Sequence, residues 1–113
     1  MTDCLFCKII NKDIPSDLLY EDDKVVAFRD INPQAPVHFL VIPKEHIEYA
    51  MDINEENKNL IGHIFNVATN LAKEEGLDLG YRIVNNCQEH GGQTVNHIHF
   101  HILGGREMLW PPG

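Results

Sequence analysis

The chain is short of positive charge. Nine Lys and Arg stand against 17 Asp and Glu among 113 residues, a formal net charge of −8. No cluster of Lys or Arg breaks that balance, which argues against a long nucleic-acid backbone as partner. A single mononucleotide stays open, because histidines and backbone N–H groups can hold one phosphate without either residue. Long apolar runs are also missing. None approaches the ~20 residues that span a bilayer, so no membrane partner is expected. The opening residues, Met1-Thr2-Asp3-Cys4-Leu5-Phe6-Cys7, show no basic stretch followed by an apolar one. No secretory leader is expected there, and a cytoplasmic protein is the default. Cysteine is scarce as well: three residues argue against a disulfide framework. Internal repeats, low-complexity segments and linkers are absent. A chain of this length suits one domain, residues 1–113, around one modest core.

What is present reads as a short helix, a long helix and five strands. Asp3 is a candidate N-cap for a helix running to about Asn11, with Leu5, Phe6, Ile9 and Ile10 on its apolar side. Cys4 and Cys7 share a face of it. Pro15 breaks it. Leu18-Leu19-Tyr20 and Val25-Val26-Ala27-Phe28-Arg29 read as a hairpin around Glu21-Asp22-Asp23-Lys24. A loop with Pro33 and Pro36 follows. Val37-His38-Phe39-Leu40-Val41-Ile42 is nearly continuous apolar sequence, as in a central strand buried on both faces, and Pro43 ends it. His38 sits where an unpaired imidazole would be costly, so it should have a partner.

Residues 54–75 carry apolar side chains at helical spacing, with Asn54 a candidate N-cap and Gly76 a candidate C′ residue. His63 on this helix reads as a boundary histidine. Residues 81–85 read as the fourth strand, residues 86–94 as a polar loop, and residues 95–103 as the fifth strand. This pattern predicts an α+β fold with an antiparallel sheet. The tail Met108-Leu109-Trp110-Pro111-Pro112-Gly113 fits neither helix nor central strand. Its Trp110 is expected to dock against protein, another subunit being one candidate.

The fifth strand holds the chemistry. In His97-Ile98-His99-Phe100-His101-Ile102-Leu103 three histidines alternate with apolar residues. On a strand the imidazoles would share one face, roughly 6.5–7 Å apart, and Ile98, Phe100 and Ile102 the other. The preceding Gly91-Gly92 lets backbone approach a ligand closely, and Gln93 and Thr94 can donate to phosphate oxygens. A neutral imidazole can attack phosphorus or carbonyl carbon if its other nitrogen is held by a hydrogen bond. The middle ring, His99, has a histidine on each side and is the candidate nucleophile. His101 is the candidate donor to a phosphate oxygen, and His38 could orient or screen His99. A zinc hydrolase is the competing reading, since His-x-His plus one more His can hold a catalytic zinc. Cys4-x-x-Cys7 offers zinc another place, with His46 and His97 as candidates to complete four ligands, and free thiols remain the alternative there. Cys87 reads as an ordinary thiol.

The His-φ-His-φ-His-φ-φ run resembles the signature of the histidine triad family. Pro33-Gln34-Ala35-Pro36-Val37-His38-Phe39-Leu40-Val41-Ile42-Pro43-Lys44, Gly91-Gly92-Gln93-Thr94-Val95 and Trp110-Pro111-Pro112-Gly113 look like its Hint branch of purine nucleoside phosphoramidases. The resemblance covers nearly the whole chain. It implies a homodimer whose sheets join, and binding of a purine nucleoside monophosphate, AMP or GMP. It implies hydrolysis of the P–N bond of nucleoside 5′-phosphoramidates through a nucleotidyl-His99 intermediate. His97, His101 and His38 then resemble the supporting histidines. Asp30 and Ile31 resemble nucleoside-pocket positions, and Asn86, Gly92, Gln93 and Thr94 the α-phosphate side. Trp110 resembles a residue that reaches the partner's active site. Cys4-Leu5-Phe6-Cys7 with His46 resembles the zinc-binding version of the family, which implies a structural zinc on Cys4, Cys7, His46 and His97 and no catalytic cofactor. A second functional reading is a nucleotide-binding sensor or scaffold dimer whose hydrolysis is incidental.

Overall fold

The computed structural model describes residues 4–113. Its strands are β1 (Leu18–Glu21), β2 (Val25–Arg29), β3 (Val37–Pro43), β4 (Tyr81–Val84) and β5 (Phe100–Gly104). They form one antiparallel sheet in the order β1-β2-β3-β5-β4. Three α-helices accompany it among the described residues: α1 (Leu5–Ile10), α2 (Lys58–Glu74) and the single turn α3 (Gln88–Gly91), with a 3-10 turn at Ala50–Asp52. This is the α+β, five-stranded architecture that the periodicity predicts. Among the described residues no helix is long and apolar enough to cross a membrane.

Alternation assigns each face of the sheet a helix. Val25, Ala27, Phe39, Val41, Phe100 and Ile102 point toward α2, where Ile64, Val67, Ala68 and Leu71 meet them. Val26, Phe28, Leu40 and Ile42 point the other way, toward Phe6 and Ile9 of α1. The central strands β2 and β3 are therefore buried on both faces, as their near-continuous apolar runs require. In β3 and β5 the positions between the α2-facing residues carry His38 and His101. The histidine face is thus the α1 face.

Three differences from the expectation exceed a single residue. The long helix starts at Lys58 rather than Asn54. The Asn54 side chain accepts from the Glu56 and Asn57 amides (2.9 and 3.1 Å), so it caps a separate turn ahead of the helix. The loop 86–94 contains α3. The fifth strand begins at Phe100, not Val95, because its ladder to β3 stops at Val41↔Phe100. Further along, β3 offers Pro43, which has no N–H to donate. His97 instead meets the Pro43 carbonyl through its ring (2.8 Å), and the Ile98 amide donates to the Ile47 carbonyl (2.6 Å). The Asp3 cap lies outside the described residues. Within them, Cys4 caps α1, its thiol accepting from the Cys7 amide (3.1 Å).

Candidate active site

His97 and His99 lie on the segment just ahead of β5, and His101 lies within it. All three turn toward α1 even though only the last sits in the ladder. His97 and His99 are almost fully buried, and His101 is partly open. The Phe6 ring packs edge-on against both His99 (centroids 5.0 Å apart) and His97 (6.0 Å). The His99 and His101 rings meet edge-to-face at 5.0 Å.

Backbone groups decide which nitrogen of each ring carries its proton, because a carbonyl can only accept and an amide N–H only donates. His99 Nδ1 lies 2.8 Å from the His97 carbonyl. Its proton is therefore on Nδ1, and Nε2 presents a free lone pair. The Gln34 amide donates to His38 Nδ1 (3.0 Å), so the His38 proton is on Nε2, which faces His101 Nδ1 at 2.9 Å. His38 then donates to His101, whose own proton lies on Nε2. His38 and His101 are diagonal neighbours across β3 and β5, since Leu40 pairs with His101. The expected partner of His38 is thus supplied by that neighbouring strand, with the Asp30 carboxylate also 3.4 Å from His38 Nε2.

Burial pushes all four of these imidazoles down. His101 falls to about 4, with His99 and His38 adding to the effect of burial and Asp30 opposing it. His97 also falls to about 4, chiefly through burial. Burial lowers His99 and His38 too, against the pull of Asp30 on each. The result at neutral pH is a set of uncharged rings: one bare nucleophilic nitrogen on His99 and one N–H donor on His101.

A cleft of about 310 Å³ opens beside them. Phe6, Ile9, Ile14, Phe28 and Leu40 give it apolar walls, and Asp30, Thr94, His99 and His101 are among its polar lining. Ile31 stands at the rim, 98% exposed. The cleft gathers Asp30, Ile31, Thr94, His99 and His101 of the nine nucleotide-binding candidates. The other four of the nine stand apart from its lining. Asn86 precedes α3. Gly92 is the left-handed C-cap of α3 (φ +79°). The Gln93 amide is spent on backbone, donating to the Glu48 and Val95 carbonyls (2.8 and 2.9 Å) and accepting from the Gln88 amide (2.7 Å). Trp110 is 81% exposed, so within one chain it docks nowhere.

Sequence reasoning missed three participants. Phe6 packs both buried histidines, and the Pro43 carbonyl anchors His97. The Asn85 side-chain amide donates to the His99 carbonyl (2.9 Å), continuing by a side chain the ladder that β4 ends at Val84. An Asn at the end of a strand is the one visible signal among them.

On the far side of His97, Cys4, Cys7 and His46 close around it. One donor atom from each of the four residues lies within 4.8 Å of the others. His97 donates from Nε2 to the Pro43 carbonyl, which leaves its Nδ1 lone pair aimed at the group. That Nδ1 is 3.1 Å from His46 Nδ1, 3.4 Å from Cys4 Sγ and 3.6 Å from Cys7 Sγ, and Cys7 Sγ is 3.3 Å from His46 Nδ1. Tetrahedral zinc needs N···N edges of about 3.4 Å and N···S edges of about 3.6 Å, from its bond lengths. The residues fit that ion in donor set and in span. Without a cation, burial and the neighbouring Cys4 push the Cys7 thiol up to about 11. Asp30, His38 and His101 also converge. There the Gln34 proton occupies the His38 Nδ1 lone pair, so Nε2 is protonated and offers a cation nothing.

Comparison with known proteins places this arrangement. The family model described as "Scavenger mRNA decapping enzyme C-term binding" matches residues 3–110. An uncharacterized HIT-like protein of Synechococcus elongatus is 51% identical over 111 residues, 98% of this chain and 97% of that protein. The crystal structure of a HIT family hydrolase from Legionella pneumophila superposes with a TM-score of 0.96 at 52% identity, over 98% of this chain and 100% of that one. A histidine triad nucleotide-binding protein from Candida albicans gives 0.82 at 34% identity, over 96% of this chain and 83% of its own. The chain belongs to the histidine triad, or HIT, family and has the fold of its hydrolases.

Proposed function

We propose that the protein hydrolyses purine nucleoside 5′-phosphoramidates by double displacement at phosphorus, with His99 as nucleophile. The observation that carries this is the tautomer of His99. Its Nδ1–H is held by the His97 carbonyl, and its bare Nε2 belongs to a ring lining the cleft. The apolar walls suit a purine, and the Asp30 carboxylate suits ribose hydroxyls. The Thr94 hydroxyl and the His101 N–H suit the non-bridging phosphate oxygens, where charge grows in the transition state. In the first step His99 Nε2 attacks phosphorus and the P–N bond breaks. The amine leaves with a proton drawn from solvent, which the water consumed in the second step returns, and the nucleotide stays on His99. In the second step water attacks phosphorus, the P–Nε2 bond breaks, and the nucleoside monophosphate departs with neutral His99 restored.

Zinc on Cys4, Cys7, His46 and His97 belongs to the same reading as a structural ion. It ties α1 to the segment before β5 and takes no part in either displacement. The protein works as a homodimer, with the open edge of β4 joining its counterpart and Trp110 reaching the neighbouring cleft. The test is single-turnover hydrolysis of a fluorogenic adenosine 5′-phosphoramidate by wild type and His99→Ala. The expected outcome is a loss of at least about 10³-fold in turnover, with AMP still bound. A fully active variant overturns the reading.

A further inference from the structure

We infer that the Cys4, Cys7, His46 and His97 cluster is a positioning device for the nucleophile, so that zinc occupancy sets the turnover rate of His99. The inference rests on the proposed nucleophilic role of His99 and concerns its regulation.

Two mechanical links run from the cluster to His99. The first is His97 itself. Its ring Nδ1 points into the cluster, and its own carbonyl holds His99 Nδ1–H at 2.8 Å. Whatever anchors the His97 ring therefore restrains the backbone that carries the acceptor selecting the His99 tautomer. The second link is Phe6. Cys4 and Cys7 bracket it in the first turn of α1, and its ring lies edge-on against both His97 and His99. An ion joining the two thiolates to His46 and His97 would close this triangle.

Without the ion, few interactions replace it. Among the described residues His46 Nε2 is buried with no hydrogen-bond partner. The two facing Nδ1 atoms, 3.1 Å apart, can share only one proton. Among the described residues α1 spans only Leu5–Ile10, a helix too short to be stable alone. Loss of the ion leaves the His97 ring held by the Pro43 carbonyl alone and loosens the segment whose carbonyl keeps the His99 proton on Nδ1. The His99 ring can then populate the other tautomer, whose Nε2 is blocked by a proton. Residues that orient a ligand or a reacting group typically matter by about 10–100-fold. Ile14, Phe28 and Leu40 of the cleft lie outside both links and Phe6 lies in one, so nucleotide affinity should change less than kcat.

The test compares zinc-loaded wild type, the chelated protein and zinc-treated His46→Ala. Long-range ¹H–¹⁵N correlation on histidine-labelled protein reads the His99 tautomer. AMP titration reads binding, and the fluorogenic adenosine phosphoramidate reads kcat and KM. The expected result is a single Nδ1–H form of His99 in the loaded protein and a mixture in the other two. Their kcat should be lower by about 10–100-fold, with AMP affinity within about 3-fold. Should the metal-free proteins lose their circular dichroism, Cys7→His still offers zinc four donors in an altered geometry and carries the same comparison. An unchanged tautomer and kcat in a folded chelated protein, or in zinc-loaded Cys7→His, overturns the inference. If loaded wild type hydrolyses no phosphoramidate, the functional reading fails instead, and the tautomer comparison still decides the coupling.

Discussion

Asp22 shows how one carboxylate can tie a turn to a helix. It accepts from His63 of α2 (2.7 Å), from the Lys24 and Val25 amides (2.8 and 2.9 Å) and from the Tyr20 hydroxyl (2.8 Å). Partial burial acts to raise the carboxyl, but these donors outweigh it and hold it well below the usual carboxylate range. A depressed carboxylate contributes stability that is complete above its unfolded value, ~3.9, and is lost as pH falls toward the folded value. Wild type should therefore lose Tm between roughly pH 5 and pH 2. Asp22→Asn should start about 4 °C lower at neutral pH, from roughly 1 kcal/mol, and fall less steeply through that window. Thermal melts at four or five pH values measure the difference, and parallel slopes would contradict it. His63, the boundary histidine of α2, finds its partner in this pairing. The same scale explains what stayed hidden at the site. Carbonyls of His97 and Pro43 and the Gln34 amide set the tautomers, and nothing in a residue's identity announces which backbone group will face a ring.

Elements were legible where periodicity had room to repeat. The alternation of β2, β3 and β5 and the helical spacing of α2 follow from which side chains can be buried together. Their ends were less legible because ends depend on partners. The histidine run keeps a strand's alternation from His97 onward, yet the ladder starts only at Phe100, where β3 still has N–H groups to offer. Asn54 has a capping side chain, but its donors belong to a turn that precedes α2. The helix stop was read correctly. Gly76 has φ +76°, its amide meets the Lys73 carbonyl (3.1 Å), and Leu77 closes back on Ala72 (3.0 Å). A Cβ at Gly76 would meet nothing within 4 Å, so the cost of Gly76→Ala is purely one of backbone conformation. Denaturant unfolding should show a loss of about 1 kcal/mol. No loss would mean that the left-handed turn is not required.

At the scale of the whole molecule, apolar surface remains that a lone chain leaves wet. Trp110 and Leu109 are 81% and 74% exposed, Phe65 of α2 is 42% exposed, and β4 is an open edge of the sheet. Sedimentation equilibrium should return the mass of two chains, and a monomer at micromolar concentration would contradict the proposed assembly. The candidate site was legible in its central residues because three alternating histidines have few structural uses. Asn86, Gly92, Gln93 and Trp110 stand apart from the cleft of a single chain, and a second subunit is what would bring the tail to it. The central claim is a covalent bond between His99 and the nucleotide. Rapid quench of the enzyme with an adenosine 5′-phosphoramidate, followed by intact-mass and peptide mass spectrometry, tests it most directly. The expected result is a transient species heavier by one AMP less water, mapped to His99 and absent from His99→Ala. Turnover at full rate with no adduct at any quench time, or an adduct on another residue, would contradict it.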